Sequence, residues 1–177
     1  KPDRRQRQMC IRDSHSSLNK IINGNKFIES YSLAKLKSFN PNIFNCCEKH
    51  RMYIEIIQNN NKDLKEGAVF NETGIIGQVV NNKSFYEVML LTDTKSSIPL
   101  TNSKGNFYCN AKGSGVAGYI TCSYSQLVSL DDHELGEKFF SSGLGGIYPK
   151  GIEIGNLESI KIIAVSYTHL TLPTIRL

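Results

Sequence analysis

The sequence predicts an all-β protein: two small β-barrel subdomains preceded by a short remnant of a helix. Three observations carry this. After Asn23 no stretch repeats its apolar residues convincingly at helical spacing. In its place come about ten or eleven short runs rich in β-branched and aromatic residues, with turn signals roughly every 8–12 residues, the rhythm of a barrel or sandwich. Third, Ser141-Ser142-Gly143-Leu144-Gly145-Gly146-Ile147-Tyr148-Pro149-Lys150-Gly151 packs four glycines and a proline into eleven residues between two β-prone flanks. Glycine reaches positive φ without a Cβ clash, and Pro149 fixes its own φ and pushes Tyr148 toward extended geometry. Gly143, Gly145, Gly146, Pro149 and Gly151 are therefore the expected structural turn, a corner where a small barrel reverses its chain.

The elements follow in order. In SSLNKIIN (16–23), Leu18, Ile21 and Ile22 lie at helical spacing, Ser17 can cap, and Asn23-Gly24 is a stop signal. Two turns cannot stand alone in water, so this is the end of something longer, and 15–30 is read as the end of a truncated helix or coiled coil and linker. Period-2 character begins in YSLAKLKSF and stops at Asn40-Pro41-Asn42. MYIEII is a strand closed by three asparagines, and KDLKEG is a polar turn feeding Ala68-Val69-Phe70. Residues 75–80 form a strand with Gly77 inside it, a bulge or a close backbone approach. Residues 85–92 form another, rich in aromatic and β-branched side chains. Ser97-Ile98-Pro99-Leu100 is short, and Pro99 predicts an edge strand. Runs at 107–109, 116–123, 125–130, 137–141 and 152–163 complete the set. The first barrel is placed at 31–93 and the second at 94–164.

The two ends do not read as native protein. VSYTHLTLPT (165–174) can be encoded by a DNA string whose reverse complement translates as RRQRQMCIRD, which is residues 4–13. The same string matches a transposase adapter used in shotgun library preparation. Residues 1–14 and 165–177 are accordingly read as adapter-derived and outside the fold. This changes the charge argument. The whole chain carries +5, from 21 basic and 16 acidic residues. Six of the bases and two of the acids belong to the ends, leaving 15 and 14, a body near +1 without the electrostatic footprint of a nucleic-acid partner. Cys10 goes with the ends. Cys46, Cys47, Cys109 and Cys122 fit no zinc spacing and read as small buried hydrophobes, with a disulfide such as Cys109–Cys122 open to them in an oxidising compartment.

Several strings imitate chemistry. Gly113-Ser114-Gly115-Val116-Ala117-Gly118 matches a dinucleotide fingerprint, but a strand-forming run follows it, so no helix N-terminus faces the phosphates and a hairpin loop is expected. Asp131-Asp132-His133-Glu134 gathers ligand types, yet four consecutive residues diverge on turn backbone, and a solvated turn is expected. His50, Asp93 and Ser114 or Ser142 stand in the chain order of a chymotrypsin-like hydrolase without its glycine-framed serine. Asn71-Glu72-Thr73 and Asn82-Lys83-Ser84 are glycosylation triplets of a kind expected by chance. No catalytic, cofactor or metal-binding residue is assigned.

Taken with GIIGQVV (74–80) and VMLLTD (88–93), the glycine corner SSGLGGIYPKG resembles the periplasmic part of the rod-shape-determining MreC family. The resemblance runs from about Leu18 to Ile160 and is weakest at 45–52 and 102–125. It implies a non-enzymatic scaffold on the periplasmic or extracytoplasmic face of the cytoplasmic membrane, its parent anchored by an upstream helix. It also implies self-association, coupling to the MreB and MreD system, and a class B penicillin-binding protein as partner. Small barrels can supply such contacts through strand edges. The Pro99 strand and the run 152–163 are the edges the sequence nominates. A chymotrypsin-like double-barrel hydrolase and a module binding cell-wall glycan are the alternatives.

Overall fold

The computed structural model describes residues 23–24, 26, 31–40, 49–59, 66–81, 86–125, 133–165 and 168–176. Eleven strands are present among them: β1 (Ser32–Phe39), β2 (Arg51–Asn59), β3 (Ala68–Asn71), β4 (Gly74–Asn81), β5 (Tyr86–Leu90), β6 (Ser97–Asn102), β7 (Tyr108–Gly113), β8 (Tyr119–Ser125), β9 (Lys138–Ser141), β10 (Glu153–Val165) and β11 (Thr168–Arg176). Residues 23 and 24 are helical; the rest of the expected helix remnant lies outside the described residues, as do the run 126–130 and the pair Cys46-Cys47. The protein is all-β.

β1 to β5 form one antiparallel sheet in the order β1-β2-β5-β4-β3, ending at β1 and β3. Ile54, Val79 and Val88 form its own small core, with Met52, Val69, Tyr86 and Leu90 packed against them. β4 does more than complete this sheet. Its pairing with β3 shifts between Val69 and Phe70, so Val69 faces Gly77 and Phe70 faces Ile75, leaving Ile76 as the extra residue. Such a bulge re-aims the side chains beyond it. Ile75 thereby joins the core of the second unit, while Val79 stays in the first. Gly77 sits where a side chain would run into the Met89 carbonyl of β5.

The second unit is a closed barrel, β10-β11-β8-β7-β6-β9, with β9 pairing back onto β10. Its strands alternate as a barrel interior demands: in β7, Cys109 and Ala111 are buried while Tyr108 and Asn110 are exposed. Phe139, Leu100, Ile98, Ile120 and Leu157 fill the interior, and Leu91 and Ile75 reach it from the first unit. Cys109 and Cys122, on the inner face of neighbouring strands, are joined as a disulfide.

Three expectations change. β6 is not an edge: it pairs with β7 on one side and β9 on the other. Pro99 is tolerated because its ladder to β9 begins only at Leu100, so the missing N–H falls at the strand end, while its carbonyl accepts from the Ser142 amide at 3.0 Å. β10 is not an edge either, being held between β9 and β11. Finally, 168–176 does not stand outside the fold. It pairs as β11 with both β10 and β8. The edges of the described molecule are β1 and β3.

Two glycines mark where backbones touch. A methyl group at Gly113 would collide with the Asp93 carbonyl, and one at Gly77 with that of Met89. Backbone cannot swing aside as a side chain can, so Gly113→Ala and Gly77→Ala should each cost about 1–3 kcal/mol or more in urea unfolding. Gly145 meets no atom within 4 Å, and its φ of 81° is the main obstacle to a side chain. Gly145→Ala should lose about 1–2 kcal/mol. A midpoint for Gly113→Ala equal to that of the unaltered chain would show that the backbone at 92–93 gives way freely.

Candidate functional site

The sheet and the barrel meet at one end of the barrel, where the link 91–96, the β7–β8 hairpin loop and the glycine corner come together. The link is pinned by Asp93, which is 0 % exposed. One carboxylate oxygen accepts from the His50 amide at 3.0 Å and from Arg51 Nε at 2.9 Å; the other accepts from the Lys95 amide at 2.9 Å. Arg51 also lies 3.6 Å from Glu87 on β5. A buried carboxylate is sustained only with partners of this kind, and here they come from the start of β2 and from the link itself. The hairpin loop locks on through the Gly115 amide, which donates to the Thr92 carbonyl at 3.0 Å.

The corner is stitched by two serines. Buried Ser141 donates through Oγ to the Pro149 carbonyl and accepts the Ile152 amide at 3.0 Å, tying the entry of the turn to its exit. The Gly151 amide closes the same loop on the Ser141 carbonyl at 2.8 Å. Ser142 Oγ donates to the Pro99 carbonyl at 3.1 Å and accepts the Leu144 amide at 3.3 Å. Gly143, Gly145, Gly146 and Gly151 have φ of 79°, 81°, 73° and 83°. At Gly143 a Cβ would also sit 2.8 Å from the Lys150 Cβ, so there both the angle and the space require glycine.

This geometry delivers Tyr148 to the joint. Its ring is 3 % exposed and belongs to the barrel core, and its hydroxyl donates to Gln78 Oε1 on β4 at 2.9 Å. Burial pushes the phenol up to about 12, with the nearby Ser96 side chain pulling the other way. Beside the joint the first stretch of β10 and Thr73 of the β3–β4 turn line an open groove of about 510 Å³, bordered by Glu153, Asn156 and Glu158. The turn is set by Asn71, whose side-chain oxygen accepts from the Thr73 amide and hydroxyl at 2.9 and 2.7 Å. Leu144 and Ile147 stand exposed on the corner.

The residues that imitate chemistry are spent on structure. Asp93 meets the backbone of His50, not its ring; His50 Nδ1 lies 2.7 Å from Thr92 Oγ1. Ser114 Oγ donates to the Tyr119 carbonyl at 2.7 Å inside the β7–β8 hairpin loop, and Ser142 is held in the corner. Of Asp131-Asp132-His133-Glu134, the two aspartates lie outside the described residues. His133 is not solvated as the sequence predicts: its side chain is 5 % exposed, 2.8 Å from Glu137 and edge-on to Phe107. Tyr148, Ser141 and Arg51 were not singled out from sequence as holding the joint; only Tyr148 carried a signal, as an aromatic residue inside a glycine–proline turn.

The family model of rod shape-determining protein MreC, barrel core, matches residues 48–171. The cell shape-determining protein MreC of Haemophilus influenzae is 30% identical over 113 residues, covering 60% of this chain and 32% of that protein. That of Escherichia coli is 27% identical over 95 residues, 53% of this chain and 25% of the other. The chain thus spans about a third or less of the length of these relatives. Among solved structures, MreC from Pseudomonas aeruginosa superposes with a TM-score of 0.65 at 26% identity, covering 83% of this chain and 90% of that one. A structure described as MreC gives 0.68 at 24% identity over 94% and 90%. MreC from Helicobacter pylori, solved in a complex with a penicillin-binding protein, gives 0.55 at 16% identity over 81% and 86%, a likeness of fold.

The Tyr148 hydroxyl makes the joint sensitive to alkali. Its folded pKa is raised from 10.0 to about 12. The folded state then holds a proton that the unfolded state releases above pH 10, so this contribution is whole below pH 10 and is lost as pH rises to about 12. The difference is roughly 2–3 kcal/mol. Tyr148→Phe should remove this part of the alkaline loss, while costing about 0.5–1.5 kcal/mol at neutral pH for the missing hydrogen bond to Gln78. Thermal unfolding of both chains from pH 8 to 12 checks it; parallel curves would refute a buried, protonated Tyr148.

Proposed function

The chain belongs to the MreC family of rod shape-determining proteins, and from that premise we propose that it is a non-enzymatic scaffold of the bacterial cell-elongation machinery. The observation that carries the reading is the joint. Two β units are fixed to one another by a buried carboxylate, a tyrosine and a shared apolar core, while the serines and the histidine that catalysis would need are engaged in holding turns. Such a body presents surfaces; it does not present an activated nucleophile.

Its place is the periplasmic or extracytoplasmic face of the cytoplasmic membrane, with the parent protein anchored by an upstream helix. The Cys109–Cys122 disulfide supports this, since such bonds persist in oxidising compartments. The partner is a class B penicillin-binding protein, a reading supported by the Helicobacter pylori relative solved in a complex with a penicillin-binding protein. Self-association is supported by a relative described as a cell shape-determining filament. Coupling to MreD and MreB follows from the family reading. Residues 31–93 and 94–164 are the two native working units; 1–14 and 165–177 are adapter-derived, although 168–176 pairs into the second barrel as β11.

The test has three arms. The chain, passed over an immobilised class B penicillin-binding protein ectodomain, should bind saturably, and Gly143→Val should weaken binding through the corner. A fluorophosphonate probe should label no serine, and Ser114→Ala should leave cell-shape complementation by the full-length parent gene intact. Rapid labelling that Ser114→Ala or Ser142→Ala abolishes would establish a hydrolase instead. Retention on purified peptidoglycan without binding to the synthase would establish a glycan-binding module.

A further inference from the structure

The covalent tie inside the barrel stands where a backbone ladder gives out. β7 and β8 are in register from Gly113↔Ile120 to Asn110↔Ser123. Cys109 is the next residue of β7 beyond that last pair, and it is joined to Cys122, 13 positions on. At its other end the hairpin is held by polar contacts. There Ser114 Oγ donates to the Tyr119 carbonyl at 2.7 Å, and the Gly115 amide donates to the Thr92 carbonyl at 3.0 Å. Cys109 and Cys122 belong to the apolar cluster that also holds Leu100, Ala111, Ile120 and Phe139. Cys122 is 0 % exposed and Cys109 9 %. Disulfide exchange needs a thiolate that can reach a donor's sulfur, and a buried apolar site both disfavours the thiolate and excludes the donor. The closed barrel leaves no path by which this bond could be made.

We propose that the bond is a clamp on the mouth of the β7–β8 hairpin, installed by a disulfide donor before the barrel closes around it. One cysteine, as thiolate, attacks the donor disulfide and releases one donor thiolate, leaving a mixed disulfide. The second cysteine attacks the chain's own sulfur in that mixed bond and releases the other donor thiolate. The chain gives up two electrons and two protons, and the donor leaves as a dithiol or as two thiols. Closure then seals both sulfurs in the core, so the clamp outlasts later contact with thiols. A hairpin clamped early is also a preformed neighbour for β6, which pairs with β7 from Ser97↔Lys112 to Thr101↔Tyr108. The donor's presence in the cell rests on the extracytoplasmic placement proposed above. The chemistry is that of the isolated chain, so either can fail without the other.

The oxidised full chain is exposed to dithiothreitol in buffer and in urea strong enough to unfold it, and Cys109 and Cys122 are followed by alkylation and peptide mapping. Reduction should be at least about a hundredfold slower in buffer, because it waits on opening of the barrel. Exchange is reversible, so the same opening limits formation of the bond. Equal rates in buffer and urea would put the sulfurs within reach of thiols in the closed barrel and overturn the order of events. The reduced chain should also unfold about 6–12 °C lower, the effect expected of freeing a loop of this size. An unchanged midpoint would show that the bond clamps nothing. In the last arm the reduced chain is diluted from urea with glutathione disulfide or with an oxidised C-x-x-C protein. The Cys109–Cys122 bond should form, and the faster reagent identifies the kind of donor. Recovery of the folded chain with both thiols free in each case would overturn the proposal.

Discussion

A charged carboxylate placed out of reach of water must find its hydrogen bonds within the protein, and the arrangement of this molecule follows from how Asp93 finds them. Three donors converge on it, two from the threshold of β2 and one from the residue two places on. Removing the Arg51 side chain would leave buried charge uncompensated, which is far more costly than never having buried it. The requirement fixes the path of the chain as it leaves β5 and enters β6. It also leaves no room beside the Asp93 carbonyl, which is why the facing position on β7 is Gly113. Sheet and barrel are thus set against each other by a polar contact, and the apolar surface of Ile75, Leu91 and Tyr148 then fills in around it.

Much of this was legible in the residues. Alternation located β2, β4 and β10, and the corner could be nominated from its glycines alone because no other residue supplies four left-handed backbones cheaply. What stayed hidden was whatever depends on closure. Pro99 and the run 152–163 look like edges when each strand is read by itself, and only the return of β9 and β11 covers them. The pinning of Asp93 was hidden for a related reason: its partners His50 and Arg51 lie 43 and 42 positions away, and no periodicity connects them. His133 was misread because a run of acidic residues reads as solvated, whereas its ring is packed against Phe107.

The residues that looked most like chemistry are those the fold uses hardest. A hydroxyl at a tight turn can both donate to one carbonyl and accept from one amide, which makes serine an efficient staple as well as a plausible nucleophile. Ser141 and Ser142 do the first: between them they bind the corner to itself and to β6. In the scaffold proposed above, this rigidity serves function in its own right. A surface that must meet another protein gains affinity by being rigid beforehand, since less freedom is lost on contact.

The position of β11 in the chain has a consequence for how the protein comes into being. A barrel sealed by a strand that follows both of its neighbours in the chain cannot close until that strand has been made. β8 and the far half of β10 must wait, edges open, until residue 176 is available. Pairing β8 with β11 spans some fifty residues, a late and slow kind of contact. The interval before β11 docks is when the barrel is most exposed to joining its open edges to the wrong chain.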